Sequence, residues 1–336
     1  MNLRLFLLVC AVTLFSCEKD DIEQPDIEYS SEISFKISDH LFSGKNIKQI
    51  EFVDNGFYYS IGNKIYLSDK SGSIINSFDA ASDVLSMAYN QKDESLYFGT
   101  NSSGMGRAKG TATKYFTVEN SDLPRNVVRQ VECDGAGNVW FNTSAHMISG
   151  LVKYDGRGFV EYTPQNSDLP ENLIHNFSIQ NNTVYILSRG VETGKVGLKF
   201  RNNSWEKLFE SGGCGPTDMD IDSDGNMYYI EDSREYCGGG LFPDNVVFSF
   251  QNSQKIILRE YEDLVDSPYL LKTDKRDYVW VAKFASMQPK HISVFDGNKW
   301  HACPNQFPDD FINCIEVDED NNIWLGTTNG IYVLNQ

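Results

Sequence analysis

Histidine is the residue type in this sequence best suited to catalysis or metal binding, but the spacing of the histidines favours neither. They show no HExxH motif and no pair at metal-ligand spacing, and they stand at positions 40, 146, 175, 291 and 301. Nucleophile-elbow, Walker A and Rossmann patterns are also absent where a strand-to-helix turn would need them. We predict no catalytic residue, no metal and no cofactor, so the sequence favours a non-enzyme without excluding catalysis.

One arrangement of residues could still support acid–base catalysis. His146 and His175 could act together with a carboxylate from Glu231 or Asp218, if the fold brings them to one surface.

Residues 231–245, EDSREYCGGGLFPDN, combine arginine, acids and aromatic side chains in one polar segment. This composition suits sugars, which present apolar ring faces and hydroxyl edges, and long loops on rigid scaffolds concentrate binding residues. The alternative is an insertion that only covers the rim of the molecule. The candidate ligand-binding residues, from this segment and from loops of neighbouring repeats, are Arg107, His146, Arg189, Arg234, Tyr236, Phe242, Lys283 and Phe284.

The elements that must position these residues repeat along the chain. An aromatic residue on a short apolar strand recurs about every 44 residues, at Tyr58, Tyr97, Trp140, Tyr185, Tyr228, Trp280 and Trp324. Polar or Gly-rich turns precede most of them, and each period encodes four antiparallel strands. The sequence predicts an all-β fold, a single seven-bladed β-propeller over residues 31–336, with the three tryptophans of this set in the core.

The last period has only three strands. We predict that residues 33–37 supply its fourth strand, so that both ends of the chain close the ring and no sheet edge stays open.

The N-terminus predicts export. Residues 1–16 carry Arg4 and a short apolar run, as in a signal peptide. Residues 14–17, Leu-Phe-Ser-Cys, resemble the lipobox of bacterial lipoproteins, which implies lipidation of Cys17 and attachment to the membrane through that lipid. The following Glu-Lys-Asp-Asp resembles the surface-export signal of Bacteroidetes lipoproteins, and residues 17–30 are expected to form an acidic tether. An ordinary secretory signal is the alternative.

Net charge excludes one class of partner. The chain has 29 Lys and Arg against 47 Asp and Glu, a formal charge of −18, which repels nucleic acids. We expect a monomer located at the outer membrane, lipid-anchored and exposed at the cell surface.

Five cysteines remain after Cys10 and Cys17 are set aside. Cys133 is expected to be a buried thiol, and an oxidising envelope favours a disulfide between the loop residues Cys214 and Cys237. Cys303 with Cys314 is the competing pair.

The segments NNIWLGTTNGIYVLN (321–335), GNVWFNTS (137–144) and the repeated NSDLP (120–124, 166–170) resemble the two-component-regulator propeller repeats of Bacteroidetes. In those sensors the propellers recognise oligosaccharides. A weaker similarity to virginiamycin B lyases implies a metal-dependent elimination, although the Glu-x-His pair of those enzymes is missing here.

Three functions follow as hypotheses. The first is a surface lipoprotein that binds a glycan or another extracellular ligand on one propeller face without transforming it. The second is a metal-dependent lyase or hydrolase of the streptogramin-lyase type, and the third is an interaction scaffold for an outer-membrane protein.

Overall fold

The computed structural model describes residues 36–145, 148–167, 169, 173–190, 194–211, 216–232, 245–258, 268–283, 292–302 and 310–335. Their strands, β1 to β28, form seven four-stranded antiparallel sheets. The predicted seven-bladed β-propeller is therefore confirmed. Within the described ranges, no helix is long and apolar enough to cross a membrane.

Both ends of the described chain build the last blade. The first strand, β1 (Lys36–Leu41), pairs antiparallel with the last, β28 (Gly330–Asn335), so that Ile37 lies opposite Leu334. Closure by an N-terminal strand is confirmed, but the described strand extends past the predicted end at residue 37. The polar residues after Ile37 concealed this continuation, although Leu41 packs against the core between blades 7 and 1.

The other strands follow the chain in order, and strands a to d of a blade run from the channel to the outside. Blade 1 contains β2 Gln49–Val53, β3 Gly56–Ile61, β4 Lys64–Asp69 and β5 Ile74–Asp79. Blade 2 contains β6 Val84–Asn90, β7 Ser95–Thr100, β8 Met105–Lys109 and β9 Ala112–Phe116. Blade 3 contains β10 Val128–Cys133, β11 Val139–Ala145, β12 Ile148–Tyr154 and β13 Phe159–Tyr162.

Blades 4 to 7 repeat the pattern, with β1 as strand d of blade 7. Blade 4 contains β14 Ile174–Gln180, β15 Thr183–Gly190, β16 Gly194–Arg201 and β17 Ser204–Ser211, and blade 5 contains β18 Pro216–Ile221, β19 Met227–Asp232, β20 Asn245–Gln251 and β21 Gln254–Ile257. Blade 6 contains β22 Pro268–Thr273, β23 Val279–Lys283, β24 Ile292–Phe295 and β25 Trp300–Ala302. Blade 7 contains β26 Ile312–Val317, β27 Ile323–Thr327 and β28, together with β1.

The connections define two faces. At one end of the blades, strand b ends and strands a and c begin, and we call this end the loop face. The turns between a and b and between c and d lie at the other end, the turn face.

The aromatic residue of strand b is fixed by the turn that precedes it. The indole Nε1 of Trp324 donates to Asp318 Oδ2 at 2.9 Å, and Trp140 and Trp280 make the equivalent bonds to Asp134 and Asp274. All three rings are buried, as predicted. The turn carboxylate thus ties the blade core to the a–b turn.

The repeated NSDLP motif is a structural link between blades. Asn120 Oδ1 accepts the backbone N–H of Thr117 at 2.9 Å, and Asn166 accepts that of Thr163 at 2.8 Å. The leucines that follow, Leu123 and Leu169, are both buried. Each copy therefore folds the link and anchors it with a leucine.

Candidate functional site

A β-bulge interrupts strand a at the same place in six blades. In each, one residue near the loop-face end of the strand is skipped in the pairing with strand b. Bulges re-aim side chains and concentrate beside functional sites. We call the skipped residues the bulge residues: Leu85, Arg129, His175, Thr217, Tyr269 and Asn313.

The inner strands surround a central channel of about 1110 Å³. Five bulge residues line it, and three of them, Arg129, His175 and Tyr269, are exposed. Blade 1 contributes Lys48 from the residues just before its strand a, and the Lys48 ammonium donates to Asn313 Oδ1 at 3.0 Å. We call Lys48 and the six bulge residues the bulge ring. The bulges of five blades thus each place one side chain at the loop-face end of the channel.

Along the channel wall, polar side chains join each inner strand, or the residues just before it, to the next. Glu51 Oε1 accepts the backbone N–H of Tyr89 at 2.7 Å, which connects blades 1 and 2. The other six junctions, taken in order from blade 2 to blade 1, are joined by Ser86–Val131, Glu132–Ile179, Ser178–Asp220, Asp220–Thr273, Lys272–Glu316 and Asn313–Ile47.

These contacts explain why carboxylates occupy the channel. Inner strands of neighbouring blades do not form a ladder with each other, and a carboxylate can accept the N–H that would otherwise have no partner. Asp218 shows the full pattern, because its Oδ1 accepts from Asn176 and its Oδ2 from the backbone of Leu271 at 2.8 Å. The acids are structural acceptors.

Burial shifts the titration of these acids. It raises the pKa of Glu51 and of Glu132 to about 8, and that of Asp218 to about 7. Burial also raises the pKa of Glu316, which the nearby Lys272 ammonium partly opposes. The carboxylate of Glu316 in turn raises the pKa of Lys272. The channel wall therefore gains negative charge as the pH rises above neutrality.

The structure corrects the predicted position of Arg107. It lies within strand c of blade 2, not in a b–c loop, and its guanidinium pairs with Asp93 at 2.9 Å and stacks over the Tyr97 ring. Asp93 belongs to the a–b turn, so the Arg107 head points to the turn face. The side chain has a structural role there because the opposite charge and the aromatic ring hold it in place.

The other candidates are only partly described. Arg189 lies within strand b of blade 4, near the end of β15, and not in the predicted b–c loop, and Lys283 ends β23 but is buried with 4% of its surface exposed. Burial disfavours Lys283 as a surface contact. The remaining predicted ligand residues, His146, Arg234, Tyr236, Phe242 and Phe284, lie outside the described residues.

The proposed acid–base group is not assembled among the described residues. His175 and Asp218 both line the channel. Glu231 instead forms a buried ion cluster between blades 4 and 5, with Lys195 at 2.9 Å and Lys255 at 2.7 Å. Two ammonium groups hold this carboxylate, so it cannot serve a reaction in the channel.

Two of the five remaining cysteines are described. Cys314 is buried and free, and Cys133 is free but only half-buried in the channel wall, which corrects its expected full burial. Burial raises the pKa of both thiols, that of Cys314 to about 12. The predicted Cys214–Cys237 bridge, Cys303 and the lipidation site Cys17 lie outside the described residues.

Reasoning from the sequence missed the bulge ring and the carboxylates of the channel. In several blades, the bulge residue and the channel carboxylate both stand at fixed distances in sequence before the aspartate of the a–b turn. Arg129 stands five residues before Asp134, and Tyr269 five before Asp274, whereas Glu132 and Lys272 stand two before the same aspartates. In the blades that carry this aspartate, the two sets therefore stand at fixed positions before it.

Residues 306–329 match the family model described as two component regulator propeller. The resemblance predicted from the repeats is confirmed over this segment. No curated protein sequence matches the chain.

Solved structures share the fold over most of the chain. Virginiamycin B lyase from Staphylococcus aureus superimposes with a TM-score of 0.70 at 16% identity, over 90% of this chain and 100% of the lyase. The extracellular domain of a putative one-component system from B. thetaiotaomicron gives 0.62 at 15% identity, over 88% of this chain and 39% of that one. PorZ, a surface component of the type-IX secretion system of Porphyromonas gingivalis, gives 0.63 at 16% identity, over 86% and 46%. At these identities the likeness establishes the propeller fold alone.

Proposed function

We propose that this protein is a non-catalytic β-propeller that binds an extracellular ligand, a glycan in the first place, at the bulge ring. The observation that carries the proposal is the alignment of six β-bulges at the same end of one channel. A bulge weakens the local ladder, so its repetition around a channel mouth is best explained by the side chains that it presents.

The side chains of the ring suit a polyhydroxylated ligand. Arg129 and Lys48 carry N–H donors for sugar hydroxyl and ring oxygens, and Tyr269 has an aromatic ring that can cover an apolar sugar face. The channel acids below are engaged between the blades, and the Glu231 carboxylate is engaged with lysines. This arrangement favours holding a ligand over transforming it.

The surface location is part of the same proposal. Two of the similar propellers are described as the extracellular domain of a regulatory system and as a bacterial surface component. Together with the lipobox-like sequence before Cys17, they support an exposed protein anchored by a lipid. If Cys17→Ala still incorporated a palmitate analogue in cells, the anchor would be wrong.

Calorimetric titration of the full chain against fragments of plant, host and microbial polysaccharides tests the binding function. We expect a saturable signal for at least one glycan class, weakened by Tyr269→Ala. Flat titrations with all three sources would contradict the proposal.

A further inference from the structure

We propose that the ligand carries an anionic group, a carboxylate or sulfate on a sugar, and that Arg129 binds this group at the bulge ring. This inference rests on the proposed function and names the chemical class of its ligand.

The bulge ring carries positively charged residues in a protein whose net charge is negative. The chain has a formal charge of −18, yet none of the seven ring positions is an acid, and Lys48 and Arg129 are both cationic. The two cations stand at one mouth of an otherwise acidic protein, and the Lys48 ammonium also holds Asn313 of the same ring. The mouth of the channel is therefore complementary to an anionic group.

The Arg129 guanidinium is available for such a ligand. The side chain is exposed and lines the channel. Other arginines have structural partners, as Arg125 does in its 2.6 Å ion pair with Glu161. Among the residues that the structure describes, no hydrogen bond or ion pair engages Arg129. A planar guanidinium with free donors pairs with carboxylate or sulfate through two parallel hydrogen bonds.

The acids deeper in the channel carry less negative charge near neutral pH than free carboxylates would. Glu132 lies three residues further along the same strand, about 10 Å away by strand geometry. Burial raises the pKa of Glu132 and of Glu51 to about 8 and that of Asp218 to about 7, so burial reduces the negative charge of this wall near neutral pH. The Lys272 ammonium pairs with Glu316. The anionic group accordingly stays at the mouth, and the uncharged remainder of the sugar lies across the loop face.

The test uses the full chain and a panel of matched oligosaccharide pairs, each a uronate with its carboxyl-reduced form or a sulfated glycan with its desulfated form. We expect binding of the acidic member of at least one pair, about tenfold tighter than its neutral partner. Arg129→Ala should abolish that difference and Arg129→Lys should retain part of it. Arg157→Ala is the control, because it removes the same charge from a c–d turn of the same blade on the opposite face.

The outcomes separate the two proposals. Equal affinity for acidic and neutral members, or an unchanged difference in Arg129→Ala, overturns anion recognition and leaves glycan binding intact. If no member of any pair bound, both proposals would be contradicted.

Discussion

The ammonium group of Lys272 lies 3.2 Å from the Glu316 carboxylate, across the junction between blades 6 and 7. Acids of other blades also surround this lysine, because Asp220 and Glu132 both contribute to raising its pKa. One cation thus compensates several carboxylates of the channel wall.

Lys272→Met should therefore destabilise the propeller in a pH-dependent manner. Without the cation, the remaining acids repel each other once ionised, so we expect the Tm to fall by about 3 to 6 °C at pH 8 and by less at pH 6. Lys64→Met is the control, since it removes an exposed ion pair with Asp79 that contributes little. Equal losses at both pH values, or a loss as large in the control, would contradict this role.

Glu132 should make the protein less stable as the pH rises. Its pKa is raised from 4.5 to about 8 in the folded chain, so the folded state retains a proton that the unfolded state releases. The resulting stability is complete below pH 4.5 and is lost as the pH rises through about 8. Glu132→Gln should flatten this dependence and raise the Tm at pH 8 by about 2 to 5 °C, because an amide oxygen can still accept from Ile179.

Thermal melts of both proteins between pH 5 and pH 9 provide the measurement. A wild-type slope that Glu132→Gln leaves unchanged would show that another group is responsible.

Asp318 should be more important for stability than its partial exposure suggests. Its carboxylate accepts from two backbone N–H groups of the turn, from the Asn322 amide and from the Trp324 indole. Asp318→Ala leaves a nearly buried indole N–H unpaired, and we expect a loss of about 2 to 4 kcal/mol in denaturant unfolding. Asp320→Ala, two residues away with the same charge change, should cost less than about 0.5 kcal/mol. Similar losses for the two variants would refute the anchoring role.

The closing strand β1 gives a prediction about the stability of the whole propeller. Deleting residues 36–41 exposes the edge of β28 and removes the contacts of Ile37 and Leu41 with the blade cores. We expect aggregation or a Tm lower by more than about 5 °C, because an unpaired edge is less stable and associates with other edges. Deleting residues 18–30 should leave the melting curve unchanged. An intact melting curve without residues 36–41 would mean that closure is dispensable.

The sequence predicted the fold because the features that define a blade repeat. A turn aspartate and an aromatic residue six positions later, as in Asp318 and Trp324, recur with the strand pattern and specify the a–b hairpin of several blades. The closing strand was placed too early because the polar residues 38–40 interrupt its alternation. Only pairing with β28 identifies them as a strand.

The site was less predictable for a physical reason. A bulge is a one-residue irregularity of the backbone, and the residues that occupy it, such as Leu85, Arg129 and Thr217, share no chemical property. The composition of the long polar segment therefore gave the stronger signal for binding residues. Arg107 was assigned to the wrong face because its strand begins earlier than the pattern indicated, and its partner Asp93 lies in the turn.

The most direct test of the central claim compares two candidate sites with the same ligand. Using any glycan that binds the full chain, we would measure the affinity of Arg129→Ala/Tyr269→Ala and of Arg234→Ala/Tyr236→Ala. The first variant changes two bulge residues, and the second changes the long polar segment that the sequence suggested. We predict that the bulge-ring variant weakens binding by at least about 30-fold while the segment variant changes it less than about threefold. Retained affinity in the bulge-ring variant, with loss in the segment variant, would show that the ligand binds at the polar segment and not at the bulge ring.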